Sequence, residues 1–157
     1  MEIRLAREAD IPQIIELLRQ IGQLHHDLRP DIFRPVTLKY DHDDVLRIMQ
    51  DETRPIFIAA EGDTVLGFGF CMVKSYRNHS VINDSTEFYI DDLCVDENCR
   101  SQGIGEALYR HIHAHAKAIG CRAVTLNVWN CNSRALKFYE KLGLKPQRLY
   151  MEDVLGE

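Results

Sequence analysis

The chain has 157 residues, 45% of them hydrophobic and 27% charged, which is typical of one domain with its own core. Nineteen Lys and Arg residues against 24 Asp and Glu residues give a net charge of −5 at pH 7, whereas nucleic-acid binders usually carry a basic excess. With no apolar run near the roughly 20 residues of a membrane span, we expect a single cytoplasmic domain over residues 1–157 that binds neither nucleic acid nor a membrane.

In the first half of the chain, apolar residues first alternate as in a strand. They then recur at the i, i+3, i+4, i+7 spacing of a helix that Asp10 would cap. Pro30 and Pro35 interrupt any helix, and Gly62 lies at the tip of a hairpin signal. The predicted elements are a strand at 2–7, a helix from 11 through 21, a loop-rich segment around 28–35, a short helix at 43–50, and hairpin strands at 55–60 and 65–73.

The second half follows a polar, turn-rich segment at 75–85 and alternates strand with helix. Its predicted elements are a strand at 86–95, a helix at 105–119, a strand at 123–128, a helix at 133–142 and a last strand near 147–154. The predicted fold class is therefore α/β, with antiparallel N-terminal strands followed by β-α-β-α-β in one mixed sheet. No shift in composition marks a domain boundary.

Within the strand predicted at 86–95, the alternation of apolar and polar residues changes phase. Phe88 and Ile90 are apolar at even positions, whereas Leu93 and Val95 are apolar at odd positions. Because side chains alternate strictly along a pleated strand, this slip predicts a β-bulge near Asp91-Asp92. The alternative is a strand buried on both faces, in which no phase need be kept.

A glycine-containing segment joins this strand to the next helix and reads Arg100-Ser101-Gln102-Gly103-Ile104-Gly105. Backbone amides at a helix N-terminus can hold a pyrophosphate, and a plain strand-to-helix turn is the alternative. The segment lacks the lysine of a nucleoside-triphosphate P-loop. Leu108 replaces the third glycine of a dinucleotide fingerprint, and no acidic residue ends the next strand, which leaves NAD as a weaker alternative ligand.

These residues resemble the GNAT superfamily of acyl-CoA-dependent N-acyltransferases, nearest to its polyamine and small-amine acetyltransferases. The segment 100–105 is similar to the family's R/Q-x-x-G-x-G/A motif. A later segment, from Asn132 to Leu144, is similar to its N-x-x-A-x-x-F/L-Y-x-x-x-G-F motif. The order of strands and helices resembles the family over nearly the whole chain. Cys99, Ser101 and Asp96-Glu97 depart from residues common at these positions.

The resemblance implies a site for acetyl-CoA, used as acyl donor without a metal. It implies that Leu93, Cys94 and Val95 offer backbone groups to pantetheine, and that Asn132 contacts the cofactor. The pyrophosphate would be held by Arg100, Ser101, Gln102, Gly103, Ile104 and Gly105. The bulge would splay two parallel strands and leave a slot for the pantetheine.

Transfer to an amine requires a base, a group that polarises the thioester carbonyl, and an acid for the departing thiolate. Asp91 matches the position of a catalytic carboxylate in polyamine-type relatives, with Glu87, Asp92 or water as alternatives. Tyr139 lies among apolar residues, so its spacing alone favours a core aromatic. The motif instead assigns it as the acid, since a phenol of ordinary pKa about 10, above the roughly 8.5 of a thiol, stays protonated at neutral pH and has a proton to donate to the departing thiolate.

Histidines and acidic residues complete the expected acceptor site. His25 and His26 follow the first helix, in a region that covers the acceptor pocket in this family, and Glu87 and Asp92 would favour a cationic acceptor. His111 and His115 have metal-ligand spacing, but no Glu lies between them, so a surface or boundary pair is favoured. The five cysteines include no C-x-x-C pair and are predicted to be reduced and mostly buried.

We therefore expect an enzyme that transfers an acetyl group from acetyl-CoA to a primary amine by direct attack in a ternary complex. A small cationic amine is the favoured acceptor. The alternatives are a protein N-terminus or lysine as acceptor, and a non-catalytic CoA-binding module. The sequence leaves a homodimer open and does not name the acceptor, because fold does not determine substrate.

Overall fold

The structure is a computed structural model that describes residues 1–35 and 38–156. The strands are β1 (Glu2–Leu5), β2 (Ile56–Glu61), β3 (Thr64–Tyr76), β4 (Ser85–Val95) and β5 (Ala123–Leu126). The helices are α1 (Ile11–Leu28), α2 (His42–Met49), α3 (Ile104–Ala118) and α4 (Ser133–Lys141). None of the helices in these ranges has the length and apolar character needed to span a membrane.

Within the described ranges, the five strands form one sheet in the order β1-β2-β3-β4-β5. The first three neighbouring pairs are antiparallel, and β4 pairs with β5 in parallel after the α3 crossover. The predicted mixed α/β fold class is confirmed. The strand β3 continues to Tyr76, into the segment expected to be turn-rich, because Ser75 and Tyr76 pair with the start of β4.

The helices α1 and α2 pack on one face of the sheet. The apolar face of α1 includes Ile11, Ile14, Leu17 and Leu18, all buried, and α2 adds the buried Val45 and Ile48. Phe68, Phe70 and Cys94 complete this core from the strands. A helical stripe from α1 thus covers the centre of the sheet, as its spacing predicts.

The other face of the sheet receives α3 through two glycines on β3. A Cβ on Gly69 would lie 2.7 Å from Ile112 Cδ1, and a Cβ on Gly67 would lie 2.7 Å from the backbone oxygen of Cys94. Leu108 and Ile112 are fully buried at this contact. The missing side chains on β3 therefore let the helix approach the two central strands closely.

Asp10 precedes α1 but does not cap it, which corrects one prediction. Its carboxylate accepts hydrogen bonds from Arg4 at 2.8 and 3.0 Å and from the Arg7 backbone N–H at 2.7 Å. Asp10 ends a 3-10 turn, Glu8–Asp10, and its backbone is already helical, so its side chain points back toward β1 rather than along the helix. The residue links β1 to the start of α1 instead.

The chain divides into two compact units, Met1–Asn127 and Val128–Glu157. In the second unit, α4 is the element of regular structure among its described residues. The strand predicted near 147–154 is wrong, because residues 144–156 form neither helix nor strand. A strand requires a neighbour for its backbone groups, whereas Leu149, Tyr150 and Met151 are exposed.

The cysteines are free thiols, but the prediction that most are buried is wrong. Cys71 and Cys94 lie inside the sheet core, whereas Cys99 and Cys121 are half-buried and Cys131 is exposed. Cys99 ends a 3-10 turn before α3, and Cys121 and Cys131 lie in the connections after α3 and before α4. All three lie outside the strands and α-helices that form the core.

Candidate functional site

The predicted bulge lies in β4 at Asp91. Along the antiparallel pair, Cys71 is opposite Ile90 and Phe70 is opposite Asp92, so Asp91 has no residue opposite it on β3. The extra residue exchanges the two faces of the strand. Phe88 and Leu93 therefore lie on the α3 face, as the change in alternation predicts, and the carboxylates stand at the point of exchange.

The pairing between the parallel strands β4 and β5 ends at the same place. Their pairing runs from Glu87 opposite Ala123 to Ile90 opposite Leu126. Beyond Ile90, residues 92–95 of β4 pair with β3 only in the described sheet. Because β5 ends at Leu126, the backbone of Leu93, Cys94 and Val95 has no partner strand on that side among the described residues. That the two strands splay apart there stays a prediction.

Two acidic side chains at the bulge hold an ammonium group. Lys39 Nζ lies 3.0 Å from Asp91 Oδ2 and 2.8 Å from Asp92 Oδ2. The Asp92 side chain is 9% exposed and that of Lys39 is 45% exposed. The site is therefore a partly buried pair of carboxylates that is occupied by a primary alkyl-ammonium of this same chain.

Burial and charge shift the pKa values of this cluster. Burial raises the pKa of Asp92 above its usual range, although Lys39 counteracts the increase. For Lys39, burial alone would lower the pKa, but Asp92 and Asp91 outweigh it and raise the pKa. Both shifts reflect two neighbouring carboxylates in a site of reduced polarity, where a cation is strongly favoured.

Tyr40 supports the cluster from the side. Its hydroxyl donates a hydrogen bond to Asp91 Oδ2 at 2.9 Å, and its ring stacks on Phe70 with centroids 5.5 Å apart. Arg54 donates to the Tyr40 hydroxyl at 3.3 Å. Burial, followed by the charge of Asp91, raises the Tyr40 pKa, so the phenol remains a hydrogen-bond donor to the carboxylate.

The predicted acceptor residues separate into different environments. His25 is near enough to Asp92 for their charges to interact, and it stacks on Phe33 with centroids 5.0 Å apart. His26 Nδ1 lies 2.7 Å from the Phe33 carbonyl and holds the turn after α1. Glu87 is bound by Arg122 and Thr125, away from the Lys39 ammonium.

The segment after β4 forms an open turn at the start of α3. Ser101 and Gly103 both have a left-handed backbone, with φ of +65° and +78°. Gly103 precedes the first helical residue, Ile104, and supplies no side chain to cap the helix. The first N–H groups of a helix have no partner within it, so the turn has the backbone arrangement that binds anions.

The remaining residues of the segment 100–105 lie on either side of that turn. Gly105 and Gln102 lie in the first helical turn and in the bend before it, respectively. Arg100 lines a cavity of about 370 Å³ between the turn and α1, together with Glu97. The arginine predicted to support the pyrophosphate thus stands beside the turn, with its side chain also facing acidic groups of that cavity.

Within the second unit, Asn132 and Tyr139 belong to α4. Asn132 caps this helix, because its Oδ1 accepts a hydrogen bond from the Ala135 N–H at 3.1 Å. Tyr139 is half-buried, and its ring meets that of Phe138 edge to face with centroids 5.1 Å apart. An Asn just before a helical pattern is a usual capping signal, which predicts this structural role alongside the expected cofactor contact.

Lys39 and Tyr40 were missed by reasoning from the sequence. Both lie in the segment 24–40, which contains no recognisable motif, and they meet Asp91 from more than 50 positions away in the chain. No local pattern could have indicated this contact. The adjacent Val36 and Thr37 lie outside the described residues.

The histidines of α3 take the boundary position that was favoured for them. His111 and His115 each meet the Phe57 ring edge to face, with centroids 5.2 Å apart. Burial, together with the neighbouring His111, lowers the pKa of His115. In the part of the chain that the structure describes, no group of three or more His, Cys, Asp or Glu residues could hold a metal ion.

Comparison with known proteins identifies the family of this chain. The model of the acetyltransferase (GNAT) family matches residues 19–144. The chain is 24% identical over 93 residues to the spermine/spermidine N(1)-acetyltransferase of Bacillus subtilis, and it covers 59% of that protein's length and 59% of its own. It is 27% identical over 153 residues to the thialysine N-epsilon-acetyltransferase of Bos taurus, which covers 90% of this chain and 82% of the relative.

Solved structures share the fold. A crystal structure of a mutant BH1408 protein from Bacillus halodurans has a TM-score of 0.94 and 29% identity, covering 99% of both chains. An aminoglycoside N-acetyltransferase in complex with CoA has a TM-score of 0.74 and 16% identity, covering 98% of both chains, which shows the fold alone. The predicted resemblance is confirmed: the chain belongs to the acetyltransferase (GNAT) family of acyl-CoA-dependent N-acetyltransferases.

Proposed function

We propose that this protein transfers an acetyl group from acetyl-CoA to the primary amine of a small cationic molecule. The observation that carries the proposal is the Lys39 ammonium, held by Asp91 and Asp92 at the bulge of β4. A primary alkyl-ammonium already fits the site in chemistry and size. An acceptor with the same end group would meet the same two carboxylates.

The donor end of the proposed site is the turn before α3. Anions are favoured at a helix N-terminus, and the left-handed Ser101 and Gly103 expose successive backbone N–H groups. The pyrophosphate of acetyl-CoA has the charge for this turn. The pantetheine arm would then lie along residues 93–95, where β5 no longer pairs with β4.

Asp91 is the proposed base. An acceptor amine in the position of the Lys39 ammonium donates a hydrogen bond to Asp91 Oδ2, so the carboxylate can take its proton. The neutral amine then attacks the thioester carbonyl carbon, and a backbone N–H of Cys94 or Val95 would stabilise the oxyanion. The C–N bond forms as the C–S bond breaks.

Tyr139 is the proposed acid for the departing thiolate. Support comes from the sequence motif that contains it, from Asn132 to Leu144. A phenol transfers its proton to the departing sulfur, while the nitrogen loses its second proton to water, which also restores the phenol. Free CoA and the acetylated amine result. No covalent intermediate on the enzyme is needed, so both substrates would be bound together.

Two relatives support a small amine as acceptor by the names they carry, one acting on spermine and spermidine and one on thialysine. Polyamines and thialysine carry a primary amine at the end of a flexible chain, as lysine does. A peptide lysine is the second candidate acceptor, because the group found in the site is itself a lysine side chain.

An amine panel tests the proposal directly. Purified protein is mixed with acetyl-CoA and one acceptor at a time, and released thiol is measured. The panel contains spermidine, thialysine, lysine, an aminoglycoside, a lysine peptide and a peptide with a free N-terminus. We expect small diamines and lysine-like amines to give the highest kcat/KM. Turnover of none of them would contradict the proposal, and preference for the peptides would select the second candidate.

The same protein distinguishes CoA from NAD. A ligand at 100 times its dissociation constant stabilises a folded protein by about 2.7 kcal/mol, which shifts the melting temperature measurably. We expect CoA to raise Tm and NAD to leave it unchanged. A rise in Tm with NAD but not with CoA would indicate that the turn at Gly103 binds a dinucleotide instead.

A further inference from the structure

The contact between Lys39 and the two carboxylates joins parts of the chain that are far apart in sequence. Lys39 belongs to the connection between α1 and α2, whereas Asp91 and Asp92 lie in the middle of the sheet. The ammonium lies within 3.0 Å of an oxygen from each carboxylate. The Lys39 side chain as a whole is 45% exposed.

The carboxylates need a cation whether or not an acceptor is present. Asp91 and Asp92 are neighbours, and the Asp92 side chain is only 9% exposed. Like charges this close repel one another in a site that water reaches poorly. Lys39 supplies one positive charge to the pair, with the functional group expected of the acceptor.

The surroundings of Lys39 differ from those of a fixed ion pair such as Arg4 and Asp10. In that pair both side chains are mostly buried, at 14% and 7% exposure, and the guanidinium makes two hydrogen bonds to one carboxylate. Lys39 instead reaches inward from an exposed loop, and only its tip is held by the acids. A rotation of its side chain would move the ammonium into solvent without moving a strand or helix.

We propose that Lys39 is an internal competitor of the acceptor: its ammonium occupies the acceptor-ammonium position on Asp91 and Asp92 and must leave before an amine binds. The inference rests on the proposed function and adds a residue that sets its affinity. The apparent affinity of a ligand falls with the fraction of protein whose site is open. Lys39 thus weakens the binding of every cationic acceptor by one common factor.

This role predicts the opposite result from a positioning role. A lysine that positions the carboxylates would be needed for amine binding, so its loss would weaken binding or slow turnover. A lysine that competes would be a hindrance, so its loss would tighten binding and lower KM at unchanged kcat. The direction of the change therefore distinguishes the two roles without knowledge of the natural acceptor.

Calorimetry with pentylamine tests the inference. This probe has a lysine-like end group, and it is titrated into the wild type, Lys39→Met and Lys117→Met in the presence of CoA. Lys117 is exposed near the end of α3, so its variant loses the same charge elsewhere. We expect Lys39→Met to bind pentylamine at least about tenfold more tightly than the wild type and Lys117→Met to bind it equally.

Two further titrations complete the test. Lys39→Gln should repeat the gain, which guards against an effect of the methionine itself. Pentanol, a neutral analogue of the probe, should show no gain in either variant. Unchanged or weaker binding of pentylamine by both folded Lys39 variants would overturn the inference, as would an equal gain for pentanol.

The outcome is distinguishable from a failure of the proposed function. Thiol release from acetyl-CoA is measured on the same variants with the best amine of the panel. A lower KM in Lys39→Met at unchanged kcat supports both proposals. Tighter binding of pentylamine with no turnover of any amine supports the competing role of Lys39 at a cation site and contradicts acetyl transfer. Turnover with a raised KM contradicts the competing role alone.

Discussion

The two ends of residues 91–103 recognise charge in different ways. At the bulge, Asp91 and Asp92 present side-chain carboxylates that are partly buried and already bound to the Lys39 ammonium. At the turn before α3, Gly103 and the first helical residues present backbone N–H groups, with no side chain in front of them. One end suits a cation and the other an anion, about ten residues apart along the chain.

This difference has a consequence for specificity. A turn built from backbone groups depends on glycines in one short segment. A site built from side chains depends on partners brought from other segments, such as Lys39 and Tyr40. We therefore expect substitutions at the turn to change donor affinity and substitutions at the bulge to change the response to the acceptor.

The largest effect is expected for Tyr139→Phe, which tests whether the chemistry needs a third group beyond these two ends. The variant keeps the ring and its edge-to-face contact with Phe138. Loss of the phenolic proton should lower kcat on the order of 10²-fold, the lower end for proton transfer. Thiol release with the best amine of the panel measures it.

Binding and folding serve as controls for this variant. Affinity for acetyl-CoA and the melting temperature should stay near those of the wild type. A folded variant with full activity would contradict the assignment of Tyr139 as acid. An early-melting variant would instead support the core role that its spacing indicates.

Asp91→Asn is expected to have the next largest effect and acts on the bulge alone. The amide keeps the shape of the side chain but does not accept a proton, so turnover should fall by roughly tenfold or more. The loss should be greatest at low pH, where solvent hydroxide is scarcest and replaces a base least. Affinity for acetyl-CoA should not change.

The pH–rate profile measures this prediction, with Glu87→Gln as the matched control. Glu87 lies on the same strand, but Arg122 and Thr125 bind its carboxylate. We expect the control to keep the wild-type profile. An unchanged profile in Asp91→Asn would reassign the base to Asp92, Glu87 or water.

Gly103→Val tests the donor end and should act on affinity rather than on turnover. The Cβ at this position would meet no protein atom within 4 Å, so the obstruction it causes falls on a ligand. Displacing a phosphate from the N–H groups should weaken acetyl-CoA binding by ~1–3 kcal/mol. Calorimetry measures the change.

The control is Gly120→Val, at the opposite end of the same helix. Gly120 has a φ of +81°, close to the +78° of Gly103, and its Cβ would also meet no atom within 4 Å. Both variants therefore carry similar backbone strain. Equal acetyl-CoA affinity in the two variants would show that the turn does not hold the phosphates.

Both ends were predictable from the sequence for the same physical reason. The bulge was predicted because one inserted residue shifts every later side chain to the other face, and Phe88 and Leu93 record that shift in the sequence. The turn was predicted because glycines concentrate where the backbone is left-handed, as at Gly103. Both signals are local, so the sequence alone contains them.

The rest depends on contacts between distant segments. Nothing near Lys39 in the sequence indicates that its ammonium reaches Asp92. Similarly, Asp10 was expected to cap α1, but its carboxylate accepts a hydrogen bond from Arg4, which lies on β1 where that strand pairs with β2. The apolar residues near 147–154 predict a strand, yet a strand needs a neighbour that their own sequence does not supply.

The smallest effect is expected for Asp92→Asn, which tests whether Lys39 and the acceptor bind the same carboxylate at the bulge. If Lys39 competes with the acceptor, Asp92 stabilises both of them, since its Oδ2 lies 2.8 Å from the Lys39 ammonium. Its loss then weakens the acceptor and the competitor together, and the two effects largely cancel. We expect KM for the amine to rise by only about threefold, with kcat nearly unchanged.

The same substitution in the Lys39→Met background should act in full, because no competitor remains to offset it. There we expect pentylamine to bind about tenfold more weakly than to Lys39→Met alone, which makes the two residues strongly non-additive. Calorimetry on the four proteins of this double-mutant cycle gives the coupling. Equal effects of Asp92→Asn in both backgrounds would mean that Lys39 and the acceptor do not share Asp92, and that the ammonium seen on the bulge marks a different position from that of the substrate.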